Sequence, residues 1–235
     1  MNTFSLVYLC IYTYIGRMCI RGEITMNTLQ IYATKPLLMP ILIQSIRCSL
    51  LQIKKKNRNS IYLLFLALHM AWLGDIFLLP SSVDNKDPTE IGFILGLLSF
   101  LIMQLIYIHM FNSIEGLGIV ETNKLLILPY LVLYVVVNYL INPYVKELFI
   151  PVLVYSACLI YMAICSLNLI GKIQASNAIT ITIGSIVFAI SDAFIAFQKF
   201  NLIQSNTLTQ GIIMFTYIID QLFIILGFTL SKLRN

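Results

Sequence analysis

Eight mostly apolar stretches follow one another along the 235-residue chain, with only short polar breaks between them. Each is close to the roughly 20 residues that a helix needs to cross a bilayer. Backbone that spans lipid has to satisfy its own hydrogen bonds, as a helix or a closed barrel. The runs here are continuous rather than alternating, which selects helix. The sequence therefore predicts an all-α fold: a polytopic membrane bundle of about eight transmembrane helices, making one transmembrane domain over 1–235. The spans are expected at roughly 3–20, 33–53, 60–80, 91–111, 124–142, 147–169, 178–199 and 208–231. The breaks, Lys54–Asn59, Ser81–Glu90, Asn112–Asn123, Asn142–Lys146, Gly171–Asn177 and Phe200–Thr207, leave no room for a soluble domain.

Composition points the same way. Hydrophobic residues make up 59% of the chain and charged residues 11%, against about 25% charged in an ordinary soluble domain. A chain this apolar has too little polar surface to cover a core of its own size. The first span is the shortest in uncharged length, Thr3 to Gly16, and Arg17 follows it. It lacks the basic start and small-residue cleavage site of a signal peptide, so it is read as a span. A start at Met26 would remove it.

The net charge of +5 reads as loop charge that sets topology. The densest run, Lys54-Lys55-Lys56-Asn57-Arg58, lies between two apolar stretches, so no nucleic-acid partner is expected. Loop lysines and arginines favour the side carrying Lys54, Lys55, Lys56, Arg58, Lys172, Lys232 and Arg234 over the side carrying Arg17, Arg21, Lys86, Lys146 and Lys199. That bias puts both termini in the cytoplasm. The membrane would be the endoplasmic reticulum in a eukaryote and the inner membrane in a bacterium.

In such a bundle the informative residues are the ionisable ones inside the spans, because burying them costs at least a few kcal/mol at the bilayer centre. Asp75, Asp192 and Asp220 stand out, with Lys35 near the start of span two. Helix rise places Asp75, Asp192 and Lys35 within about 10 Å of one membrane level, as one polar pocket would require. The plainer alternatives are a structural ion pair for the aspartates and a snorkelling Lys35. Asp220 lies nearer mid-span, with Thr216 and Tyr217 one turn away, where a hydrogen-bonded structural role is equally reasonable.

Other chemistry is poorly supported. His69 and His109 lack metal-ligand spacing, so neither a metal nor another cofactor is expected. The five cysteines, Cys10, Cys19, Cys48, Cys158 and Cys165, form no CxxC pair and read as small buried apolar residues. There is no GxSxG, no Ser-His-Asp arrangement and no phosphate-binding loop. The small residues Gly92-xxx-Gly96 and Ser185-xxx-Ala189-xxx-Ala193 suit close helix packing.

The ionic positions sit in ordered surroundings: Lys35-Pro36-Leu37-Leu38, then Leu73-Gly74-Asp75-Ile76-Phe77-Leu78-Leu79, then Gly96-xxx-Phe100 with Tyr107. Pro151-xxx-Tyr155, Gly184-xxx-Phe188-xx-Ser191-Asp192 and Tyr217-xxx-Gln221 follow. Over about Lys35 to Gly227 this ordered set resembles the YhhN-like lysoplasmalogenase family of membrane proteins. The resemblance implies eight helices and hydrolysis of the 1-alkenyl ether of lysoplasmenyl-choline or -ethanolamine, a lysophospholipid, to a fatty aldehyde and a glycerophospho-base. It also implies Lys35, Asp75, Tyr107, Asp192 and Gln221 as site residues. One position departs from the pattern. The family usually has a histidine four residues after the span-four phenylalanine, and here that residue is Gln104. His109 lies five residues further on, about 140° around the helix, and is a poor substitute. Glutamine hydrogen-bonds but cannot shuttle a proton.

The expected chemistry is acid-catalysed vinyl-ether hydrolysis. Asp75 and Asp192 would divide the acid and base work, Lys35 would hold the phosphate or bias a carboxylate, and Tyr107, Gln221 and Gln104 would orient water or the ether oxygen. Two rival readings are a proton-coupled transporter and a lipid-binding protein without catalysis. The first would be expected to show inverted repeats or paired broken helices, and the sequence has neither.

Overall fold

A computed structural model describes residues 3–50, 58–81, 88–145 and 148–233 of the chain. The basic run at 54–57, Lys86, Lys146 and Arg234 lie outside the described residues, as does the expected end of span two at 51–53. The order of helices is α1 (Thr3–Ile24), α2 (Thr28–Leu50), α3 (Arg58–Phe77), α4 (Glu90–Asn112), a short α5 (Ile119–Thr122), a 3-10 turn (Lys124–Ile127), α6 (Leu128–Val145), α7 (Phe149–Leu167), α8 (Ala175–Lys199) and α9 (Thr207–Leu233). Each of the eight expected spans coincides with one long helix. Seven of these, all but α2, are long and apolar enough along the described residues to cross a membrane. The chain is an integral, multi-pass membrane protein with an all-helical fold.

Two of the boundaries that differ from expectation do so for local reasons. Helix α2 starts at Thr28 rather than near residue 33. Asn27 caps it, its side-chain oxygen accepting the Gln30 N–H at 3.1 Å. The chain reaches that cap through a tight turn in which Met26 has φ +55°. Helix α3 ends at Phe77 rather than 80, because Pro80 cannot donate to a further helical turn.

The chain divides into two compact units, residues 1–106 and 107–234. In the first, α1 and α2 make the most extensive contact. Ser5 of α1 meets Ser49 of α2 at 2.6 Å and Ser45 at 3.3 Å in a buried serine cluster. Small hydroxyl residues of this kind let helices approach and bond across lipid. Helix α2 contains Pro36 and Pro40. Pro40 has no N–H, so the Pro36 carbonyl loses its helical donor. Trp72 of α3 supplies the replacement, its indole N–H donating to that carbonyl at 2.8 Å. Helices α3 and α4 meet closely at glycines: a Cβ on Gly74 would lie 2.6 Å from the Phe100 ring, and one on Gly96 would lie 2.8 Å from Leu78.

In the second unit, α8 and α9 pack most extensively. Gly184 of α8 makes this possible, since a Cβ there would come within 2.9 Å of the Asp220 carbonyl and the Ile224 backbone nitrogen. Gly227 does the same from α9, against the Asn177 carbonyl at 2.8 Å. Ser185 and Ala189 are buried, as their spacing suggested. Between α6 and α7, Asn138 and Ser156 exchange hydrogen bonds of 3.0 and 3.2 Å.

The loops before α6 and before α8 are clasped together. Asn168 donates to Glu121 at 2.9 Å, Lys172 pairs with Glu121 at 2.9 Å, and Ile119 N–H donates to the Ile170 carbonyl at 2.8 Å. Gly118 lies against Asn168, and Gly171, at φ +100°, lies against the Leu117 carbonyl. These loops are joined through an even number of spans, so their contact agrees with alternate crossing of the membrane.

Candidate functional site

Within the first unit, the polar side chains gather where α1, α2 and α3 adjoin. Lys35 lies two turns into α2 and pairs with Glu23, in the last turn of α1, at 3.9 Å. Asp75 is almost wholly buried. It lies three residues beyond Trp72, the residue that binds the carbonyl next to Lys35, so both use the same face of α3. Cys19, one turn before Glu23, lies beside Thr34 and within the electrostatic reach of Lys35, Glu23 and Asp75. Tyr32 donates to the Pro80 carbonyl and ties this end of α2 to the end of α3. The sequence reading had Lys35 and Asp75 but missed Glu23. Its signal was a carboxylate left at the end of an apolar run, one short turn before a lysine in the next.

Gln104 of α4 is fully buried, and neither its amide nitrogen nor its amide oxygen has a hydrogen-bond partner among the described residues. An unmet polar atom in an apolar interior costs about 1–3 kcal/mol. Such atoms call for a functional or structural reason. His109 of α4 is exposed, about 140° around the helix from Gln104. His69 is likewise exposed, its ring nitrogen 2.6 Å from the Phe65 carbonyl of its own helix.

Within the second unit, Asp192 of α8 accepts a hydrogen bond from the Tyr155 hydroxyl of α7. A neutral donor therefore satisfies this carboxyl group, and no cation is hydrogen-bonded or ion-paired to it among the described residues. Tyr155 is in the sequence motif Pro151-xxx-Tyr155, but its role as partner of Asp192 was not foreseen. Its position, 37 residues earlier in the chain, gives no local hint.

Deeper in the same unit lie Tyr107, Asp220 and Gln221, all fully buried. Tyr107 is within electrostatic reach of Asp220 and its ring stacks on Phe111, with centroids 5.9 Å apart. The Tyr107 hydroxyl and both ends of the Gln221 amide have no hydrogen-bond partner among the described residues. Thr216 donates to the Ile212 and Ile213 carbonyls of its own helix at 2.8 and 2.9 Å, so its proton is not available to Asp220.

Among the described residues, no three His, Cys, Asp or Glu side chains group in a way that would hold a metal ion. Lys35, Asp75 and Gln104 belong to the first unit, and Tyr107, Asp192 and Gln221 to the second.

Comparison with curated proteins and with solved structures gave no match. The model of the YhhN family, in contrast, matches residues 30–228. That range holds every site residue named from the sequence and leaves out all of α1, including Glu23. With 199 of the 235 residues matched, from 30 through 228, the chain belongs to the YhhN family, integral membrane proteins that include lysoplasmalogenases.

Proposed function

We propose that this protein hydrolyses the vinyl-ether bond of lysoplasmalogens, with Asp75 and Asp192 as the acid–base groups. The observation that carries the reading is the Tyr155–Asp192 hydrogen bond inside a spanning helix of a YhhN-family chain. A carboxyl group costs several kcal/mol to keep in a bilayer. One that is hydrogen-bonded to a phenol, with no ion partner among the described residues, is suited to hold or release a proton rather than to cement the fold.

The reaction follows from the chemistry of the bond. A proton is added to the alkenyl carbon beta to the ether oxygen, and the carbon alpha to it becomes an oxocarbenium-like centre. A carboxylate near that centre stabilises the charge and takes a proton from an attacking water. The resulting hemiacetal collapses, the C–O bond to glycerol breaks, and the glycerol oxygen regains a proton. One water is consumed, and a fatty aldehyde and a glycerophospho-base leave. The two carboxyl groups share these tasks as the acid and the second carboxylate do in glycoside hydrolysis. Lys35 holds the substrate phosphate. Tyr107, Gln221 and Gln104 supply polar atoms for water and the ether oxygen. Gln104 donates and accepts hydrogen bonds, so it orients groups and leaves proton transfer to the aspartates.

The test is aldehyde release from lysoplasmenyl-ethanolamine by the purified protein in detergent, with an ester lysophospholipid as control. Asp75→Asn and Asp192→Asn are each expected to lower the rate by about 10² to 10⁴-fold, the usual contribution of a general acid or base. Full activity in either variant removes that residue from the mechanism. No release by the unaltered protein, combined with proton-dependent solute uptake in sealed vesicles, would favour a transporter.

A further inference from the structure

We infer that Glu23 and Lys35 form a head-group subsite for a zwitterionic phospholipid, with Lys35 taking the phosphate and Glu23 taking the ammonium of ethanolamine or choline. The inference rests on the lysophospholipid reading above and adds to it a residue from outside the family match, which begins at residue 30.

Three features of the pair carry the argument. The first is its spacing. The Lys35 nitrogen and the Glu23 oxygen are 3.9 Å apart, well beyond the roughly 2.7–2.9 Å of a closed charge-assisted hydrogen bond. Neither side chain forms a hydrogen bond with another residue among the described residues, so the three ammonium protons and the carboxylate lone pairs remain available. The second feature is access. The side chains keep 16 and 12% of their exposure, whereas Asp75 close by keeps almost none. The third is position. Glu23 is the penultimate residue of α1, where a carboxylate opposes the negative end of the helix dipole. A purely structural acid gains more at the other end of a helix. Among the described residues, the cation paired with Glu23 is Lys35.

Phosphoethanolamine and phosphocholine carry a phosphate and an ammonium separated by two methylene groups. A lysine and a glutamate held side by side but not locked together present the complementary pair of charges. The head group replaces one loose ion pair with two closer ones. The surroundings are rigid enough to hold the two residues: Trp72 fixes the Pro36 carbonyl beside Lys35, and Gln30 donates to the Met18 carbonyl of α1 at 2.7 Å. Glu23 thereby discriminates between head groups, because a lipid that ends in a bare phosphate meets a like charge at this position.

The experiment measures binding, so it does not depend on catalysis. The purified full chain in non-ionic detergent is titrated with lysophosphatidylcholine and with lysophosphatidic acid, two ester lipids that differ only in the head group. The unaltered protein is expected to bind the choline lipid more tightly. Glu23→Gln is expected to weaken the choline lipid about tenfold while leaving lysophosphatidic acid unchanged or tighter, and Lys35→Met is expected to weaken both. Equal affinity of the unaltered protein for the two lipids overturns the proposal, and this comparison requires no variant to fold. Equal weakening of both lipids by Glu23→Gln also overturns it and assigns the pair to structure. Preserved selectivity with no aldehyde release from any vinyl ether would sink the hydrolase reading and leave this subsite standing.

Discussion

The two units of the chain treat a buried carboxyl group differently. In the first, Asp75 shares its surroundings with a cation and a second anion, Lys35 and Glu23, at the end of α1 and the start of α2. In the second, Asp192 is held by the neutral hydroxyl of Tyr155, and the deeper polar groups, Tyr107, Asp220 and Gln221, include no cation. Charge compensated by charge suits recognition of a charged head group, since the partners can be exchanged for those of a ligand. A carboxyl group compensated by a dipole suits proton transfer, since its charge can change without stranding an opposite ion. The first region thus carries the charges proposed for the head group beside one of the two aspartates, the second a carboxyl group held by a neutral dipole, and this contrast can be broken by experiment.

The largest effect after the aspartates themselves is expected at Tyr155. Tyr155→Phe removes a hydrogen bond to an ionisable group, worth about 1.5–3 kcal/mol. It should lower kcat for aldehyde release roughly 10- to 100-fold with little change in KM, read from rate against lipid concentration. A loss confined to KM would place Tyr155 with substrate binding and erase the contrast between the units.

Packing at the glycines sharpens the same contrast. At Gly184 the atoms that an added methyl would strike include the backbone of α9, at the Asp220 carbonyl and the Ile224 nitrogen, both at 2.9 Å, beside the Ile224 side chain. At Gly74 they belong to the Phe100 ring, a side chain that can give. Gly184→Ala should therefore destabilise by about 1–3 kcal/mol and Gly74→Ala by less, measured as melting in detergent. Equal losses would mean that Phe100 is held as firmly as backbone.

Trp72→Phe comes next. It removes the indole donor from the Pro36 carbonyl and should cost about 1 kcal/mol, with loosened lipid binding and unaltered kcat. A fall in kcat without a change in binding would show that Trp72 acts on the chemistry of Asp75 rather than on the head-group pair.

The smallest effect concerns the loop clasp. Glu121 is held down to about 2, first by its bond with Lys172 and then by those from Asn168 and the Gly118 N–H. The folded value lies below the ordinary 4.5, so its stabilisation is present above that value and drains away as pH falls toward 2. Melting of the unaltered protein should exceed that of Glu121→Gln at pH 7, and the gap should close as pH falls below 4.5 toward 2. A gap that persists in acid would show that the clasp depends on shape rather than charge.

Most of the fold was legible because a lipid-spanning helix is specified locally. Every one of the eight apolar runs became a helix. Two of the boundaries that moved did so at an Asn27 cap and ahead of Pro80, both of them local signals. Helix geometry alone set His109 apart from Gln104, and His109 is exposed where Gln104 is buried. The candidate residues stood out in the sequence, but their pairings did not. Asp75, Asp192 and Lys35 announced themselves as costly intrusions into apolar runs. Glu23 did not, because it sits at the edge of the weakest run and looks like an ordinary loop charge.

The order of apolar and polar residues by itself determined that this chain lies in a membrane as a set of long helices, and which ionisable groups would have to be accommodated there. That is so because the cost of placing a residue in lipid depends on the residue and its near neighbours. Tertiary structure alone decided what each of those groups touches: Glu23 beside Lys35, Tyr155 on Asp192, Trp72 on the carbonyl that Pro40 leaves open. Those partners come from different helices, and their meeting depends on the rotation and closeness of packed helices, set by glycines and serines whose contacts no single stretch of sequence reveals.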